Sequence, residues 1–231
     1  MRVVDDPARA CAHSIARRLR GAVRRRGSAS LAVSGGSTAP PMLAVLIDLG
    51  IPWHQVGIWQ VDERVAPDGH QDRNANQLTL LPGRVHLMPV TADDLNAGAR
   101  RYARSLPERF DVVHLGMGDD GHTASWPPGD PVVDAPGPVG LSAPYQGRVR
   151  MTLTPGVVNR AGGRVVLTSG GAKAAALAQW LGNDDVLQPE PGTPSPERRM
   201  TTGGRRNALP IARLRRSGTV VFADPAAAGS R

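Results

Sequence analysis

His122 stands in the run Leu115-Gly116-Met117-Gly118-Asp119-Asp120-Gly121-His122-Thr123-Ala124-Ser125. A histidine titrates near neutral pH, so it can take a proton from a reacting group and return it later in the same turnover. Asp120, two residues earlier, is placed to orient the imidazole or a polar group of a ligand, and Asp119 competes for that role. Glycines on both sides allow close approach of a ligand to the backbone. The plainer reading is a polar turn in which His122 only packs or caps. The residues elsewhere in the chain decide between the two.

A second cluster suits phosphate. Ser34-Gly35-Gly36-Ser37-Thr38 follows an apolar run and precedes a helix that begins near Pro40. Backbone N–H groups, hydroxyls and the positive end of a helix dipole converge in such a turn. It lacks the G-K-[ST] of a Walker loop and the G-x-G-x-x-G of dinucleotide binders, which disfavours a nucleoside triphosphate or NAD. A further glycine turn, Ser169-Gly170-Gly171-Ala172-Lys173, carries the single lysine of a chain with 28 Lys and Arg together. A cation in the first turn of a helix is unfavourable unless an anion is near, so Lys173 is expected to meet a ligand phosphate. Arg64 is expected to add a forked contact.

The elements that must hold these residues alternate. Asp6-Pro7 with Ala10, Ile15, Leu19 and Val23 reads as an N-capped amphipathic helix ended by Gly27. Strands are expected at 29–33, 56–61, 85–90, 110–115, 149–153, 165–168 and 219–223, and helices from Pro40, near 77–81, over 94–106 and over 172–181. This pattern predicts an α/β fold, a three-layer, mostly parallel sheet of Rossmann type with helices on both faces. One domain over 1–231 is expected, with a Pro/Gly-rich loop at 127–147, a mobile exposed segment at 183–208 and a frayed tail at 226–231.

Composition narrows the partners. The formal net charge is +8, and Arg17, Arg18, Arg20, Arg24, Arg25 and Arg26 crowd the end of the first helix, where cations suit the dipole. No aromatic residues interleave them, so a solvated face is favoured over a nucleic-acid site. The lone cysteine, Cys11, indicates a reducing compartment. No apolar stretch approaches a membrane span, and Met1 to Asp6 lacks the apolar run of a leader. A cytoplasmic protein is expected, with no metal, no cofactor, no membrane or nucleic-acid partner, and a monomeric or small homo-oligomeric state.

Taken in order, Ser34 to Thr38, Asp62-Glu63-Arg64, Asp72 with Asn74, Leu115 to Ser125, Arg150 to Thr154, Gly170 to Lys173 and Leu209-Pro210 resemble the 6-phosphogluconolactonase family, which shares its fold with glucosamine-6-phosphate deaminases. The resemblance implies hydrolysis of 6-phosphoglucono-δ-lactone to 6-phosphogluconate in the oxidative pentose phosphate pathway, without metal or organic cofactor. It implies His122 as general base and then acid, with Asp120 orienting it, and amides between Gly116 and Gly121, Gly118 among them, on the oxyanion. Phosphate falls to Ser34, Gly35, Gly36, Ser37, Thr38, Arg64 and Lys173, with Arg150 a weaker candidate, and sugar hydroxyls to Asp62, Glu63 and Asn74. Where the family often continues with leucine, phenylalanine and proline, this chain has Trp126-Pro127-Pro128-Gly129, and Trp126 is expected to wall the sugar site. Two rivals share the fold or the ligand: an amino-sugar-phosphate isomerase or deaminase, and a non-catalytic sugar-phosphate-binding regulator. The deaminases resembled here carry a glutamate shortly after the histidine, whereas residues 123–129 hold no carboxylate before Asp130.

Overall fold

The computed structural model describes residues 1–182 and 209–229. In chain order its elements are β1 (Arg2–Val3), α1 (Pro7–Arg26), β2 (Ala29–Val33), α2 (Ala39–Ile47), β3 (Val56–Gln60), β4 (Asp62–Arg64), α3 (Ala75–Leu78), β5 (Arg84–His86), α4 (Leu95–Ser105), β6 (Val112–Gly116), β7 (Val139–Leu141), β8 (Arg150–Leu153), α5 (Pro155–Arg160), β9 (Arg164–Thr168), α6 (Ala174–Leu181) and β10 (Thr219–Ala223). The Asp6 carboxylate caps α1 by accepting from the Arg9 N–H, and Gly27, in the left-handed region, closes it onto the Val23 carbonyl.

Seven strands form an all-parallel sheet in the order β1-β10-β9-β6-β2-β3-β5. Helices cover both faces, which is why β2 and β9 are buried from end to end. On one face Ile15 and Leu19 of α1 and Met42 and Leu46 of α2 pack with Leu31, Val33 and Val112. On the other, Tyr102 of α4, Val158 of α5 and Trp180 of α6 pack with Val113, Leu115 and Val166. The architecture is the three-layer α/β arrangement that the alternating pattern predicts.

Several features depart from the sequence reading: β1 and α5 are not among the expected elements, and β7 lies within the stretch read as a loop at 127–147. A separate antiparallel sheet, β4-β8-β7, stands beside the main one. Asp62-Glu63-Arg64 therefore does not simply end β3: Val61 donates to the Val33 carbonyl and accepts from the Leu153 N–H, and the chain turns there from one sheet into the other. The tail at 226–229 is not frayed. Asp224 accepts from the N–H groups of Ala227 and Gly170, and Ala227 is fully buried, so this segment is tied to the glycine turn ahead of Lys173. The expectation for 183–208 and the rest of that for the tail lie outside the described residues.

Candidate active site

β2 has β3 on one side and β6 on the other, and the chain works outward through β3 and β5 before crossing back to β6. At such a reversal the loops leaving neighbouring carboxyl ends diverge and open a crevice. The crevice is lined by Ser34, Gly35, Gly36, Ser37 and Thr38 after β2, by Gly116, Gly118 and His122 after β6, by Lys173 after β9, and by Asp62, Arg64, Asn74 and Arg150. Of the residues singled out in the sequence, Asp119, Asp120, Gly121, Trp126 and Glu63 are not part of this lining.

Asp120 stands behind the histidine. Its Oδ1 lies 2.6 Å from His122 Nδ1 and accepts from the His122 N–H at 3.0 Å. A carboxylate at Nδ1 requires the proton there, which leaves Nε2 as the basic nitrogen. Asp119, the competitor, instead accepts from the Asp120 N–H. The second Asp120 oxygen accepts from Tyr145 Oη at 2.5 Å, and the tyrosine ring meets the imidazole edge-on at 5.4 Å. Burial by itself raises the Asp120 carboxyl, but hydrogen bonds from Tyr145 and His122 outweigh it and hold the group below its ordinary value. Burial and the Asp120 charge push the Tyr145 phenol up to about 12, so it remains a donor.

The sequence reading missed Tyr145, and its signal was rarity, since the chain has two tyrosines. It also missed Gln146, which lines the crevice and accepts from Arg150 at 2.9 Å, and Ser125, whose hydroxyl donates to Asp62 at 2.7 Å. Burial raises the Asp62 carboxyl, and the Ser125 bond and the charges of Arg64 and Arg150 only partly oppose it.

The cations have a more telling arrangement. Arg64 on β4 and Arg150 on β8 are direct cross-strand partners, and both line the crevice. Like charges opposed in this way destabilise a sheet unless an anion lies between them. Desolvation first, and then the Arg64 charge, lower the Arg150 pKa. Among the described residues neither Nε has a hydrogen-bond partner. Arg64 is held from below by the Asp72 carbonyl at 2.8 Å and Asn74 Oδ1 at 3.1 Å.

Three expectations need correction. Glu63 is fully buried and accepts from the N–H groups of Arg64, Asn74 and Ala75 and from Gln60 Nε2, besides pairing with Arg73 at 3.1 Å. Both of its oxygens are occupied by this scaffold, so it shapes the 72–75 turn and has nothing left for a sugar hydroxyl. Trp126 does not wall the site: it is fully buried in the core and donates to the Leu153 carbonyl at 2.8 Å. The N–H groups of Gly118 and Gly121 are bonded within the loop, to the His122 and Gly118 carbonyls, which removes them as oxyanion donors. Asn74 does line the crevice, but its amide is engaged on both sides, with Arg64 and with the Asp62 carbonyl. Among the described residues no group of three or more His, Cys, Asp or Glu is placed to hold a metal ion.

Comparison with known proteins matches residues 4–204 to the family model described as glucosamine-6-phosphate isomerases/6-phosphogluconolactonase. A 6-phosphogluconolactonase of Rhizobium meliloti is 36% identical over 210 residues, covering 81% of this chain and 90% of its own. That of Synechocystis sp. is 31% identical over 180 residues, 70% of this chain and 75% of its own. The crystal structure of a 6-phosphogluconolactonase from Shewanella baltica superposes with a TM-score of 0.80 at 27% identity, covering 96% of each chain. The chain belongs to the glucosamine-6-phosphate isomerase/6-phosphogluconolactonase family.

Proposed function

We propose that the protein is a lactone hydrolase that converts 6-phosphoglucono-δ-lactone to 6-phosphogluconate, the activity carried by its relatives' names. The observation that supports it best is the opposed Arg64 and Arg150 pair in the same crevice as the His122 and Asp120 pair. The arginines, Lys173 and the Ser34 to Thr38 loop hold the phosphate dianion, and the sugar ring reaches across to the histidine, with Asp62 on its hydroxyls. His122 Nε2 takes a proton from a water that attacks the lactone carbonyl carbon. Asp120 stays ionised and stabilises the imidazolium. As the tetrahedral intermediate collapses, the bond from that carbon to the ring oxygen breaks, and the imidazolium returns its proton to this oxygen. The free acid then ionises. Positioning and one acid/base group suffice for so labile a substrate. A deaminase reading lacks its carboxylate: the Asp130 side chain accepts from the N–H groups of Val132 and Ala143 and is not part of the crevice lining.

The partner is thus a small phosphorylated sugar lactone. Among the described residues no helix is long and apolar enough to cross a membrane, and the buried free thiol of Cys11 suits a reducing cytoplasm. The reading takes the protein to act as a monomer or small homo-oligomer without nucleic acid. The test is hydrolysis of freshly made lactone, followed by coupled oxidation of 6-phosphogluconate and corrected for spontaneous opening. His122→Ala is expected to lower turnover by roughly 10²–10⁴-fold. An unchanged rate would remove His122 from the mechanism, and faster release of ammonia from glucosamine 6-phosphate would replace the reaction.

A further inference from the structure

The opposite end of the sheet carries a second cleft, of about 770 Å³, at the amino ends of β2, β6 and β9. Arg17, Arg18, Arg24, Arg25 and Arg26 of α1 and Arg109 from the segment before β6 line it, against two acids, Glu108 and Asp111. Among the described residues only Arg26 of these six has a carboxylate partner, Asp111, whose other oxygen accepts from the Ser30 N–H at 2.9 Å. Arg17, Arg24, Arg25, Arg26 and Arg109 are exposed and Arg18 is half-buried, and three of the guanidinium groups lie against glycine backbone: a methyl group on Gly21 would lie 3.3 Å from the Arg25 guanidinium, one on Gly162 would lie 3.3 Å from that of Arg109, and one on Gly163 would overlap that of Arg18. Behind them Arg164 is 4% exposed, and its partners are neutral oxygens of Thr219, Asn159, Ala161 and Ser217. Burial, then the charges of Arg215, Arg109 and Arg18, lower the Arg164 pKa. Positive charge is concentrated here, with Glu108 and Asp111 the two acids of the lining to set against six arginines.

We propose that this cleft binds a small, multiply charged phosphate anion. Guanidinium forks suit phosphate oxygens, and cations from separate chain segments enclose a compact ligand. A nucleic-acid surface would extend as a stripe with stacking aromatics, and no aromatic residue lines this cleft. The strands between are five residues long, so the cleft and the catalytic crevice are separated by roughly 16 Å and share no lining residue.

Titration of the whole protein with inorganic tripolyphosphate by calorimetry, at fixed ionic strength, tests this, because phosphate binding in the catalytic crevice can be weakened separately with Lys173→Ala. Tripolyphosphate is expected to bind Lys173→Ala still, and Arg24→Gln/Arg25→Gln in that background is expected to weaken it by about tenfold or more. The Arg24→Gln/Arg25→Gln protein should keep the wild-type thermal midpoint and lactone turnover. Binding that ignores Arg24 and Arg25, whether it vanishes with Lys173→Ala or persists through Arg64 and Arg150, would assign the phosphate affinity to the catalytic crevice and overturn the proposal. So would a short DNA duplex that binds through Arg24 and Arg25 more tightly than tripolyphosphate.

Discussion

At the scale of the residue, His122 in the proposed mechanism is only as good a base as its neighbour makes it. One Asp120 oxygen fixes the Nδ1 proton, and the other is committed to Tyr145, so the carboxylate cannot rotate away as the imidazolium forms. Tyr145 touches Asp120 and the imidazole edge and is not part of the crevice lining; it is a positioning residue. Tyr145→Phe removes a hydrogen bond to a charged group, a change of roughly 1.5–3 kcal/mol. Because the ring and its packing survive, the cost should appear in kcat, lower by about tenfold, with KM nearly unchanged. A raised KM at constant kcat would mean that Tyr145 serves the substrate directly. The histidine and its aspartate were legible because they are two residues apart in one loop. The tyrosine was not, since it arrives from 23 residues further along.

At the scale of the element, the loops after β2 and β6 work because two glycines yield space to functional side chains. A methyl group on Gly35 would overlap the Asn74 carboxamide that steadies Arg64, and one on Gly118 would overlap the His122 ring. The two substitutions should therefore separate. Gly35→Ala is expected to raise KM by about tenfold through Arg64, and Gly118→Ala to lower kcat at least as much. Steady-state kinetics on both variants, with circular dichroism to show that they fold, checks this; matching losses in one parameter would deny the division of labour. These loops were readable because a run of Val and Leu stops at glycine. So was α1, whose cap, N1 proline and terminal Gly27 are all local signals. The side sheet was only partly legible: its strand β8 matches the strand expected at 149–153, but β4 and β7, three residues each, carry no periodicity that would set them apart as its partners. Hidden with them was the pairing of Arg64 with Arg150, the strongest sign of an anion. Glu63 looked available for the same reason: its partners are backbone N–H groups 11 and 12 residues away.

At the scale of the whole molecule, the sheet has the proposed active site at its carboxyl ends, an excess of arginine at its amino ends, and a histidine sealed in its middle. His114 of β6 is completely buried, and among the described residues neither ring nitrogen has a well-aligned hydrogen-bond partner, the Ser34 backbone alone lying close enough to favour its proton. Burial lowers its pKa to about 4. The unfolded chain, in which a histidine titrates near 6.5, takes up a proton that the folded protein refuses. Stability therefore falls as pH drops from about 6.5 towards 4 and stops falling on this account below that, for a loss on the order of 3 kcal/mol. Asp120 and Asp224, held below their ordinary values, add to acid sensitivity at lower pH and are shared by any His114 variant. Urea unfolding at several pH values compares the wild type with His114→Leu, which removes the titration and leaves an apolar side chain in the core. The expected outcome is a shallower decline for His114→Leu between pH 6.5 and 4, whatever its stability at pH 7. Parallel profiles would mean that the folded protein accommodates the His114 proton, and that the core at β6 admits charge or water which its packing argues against.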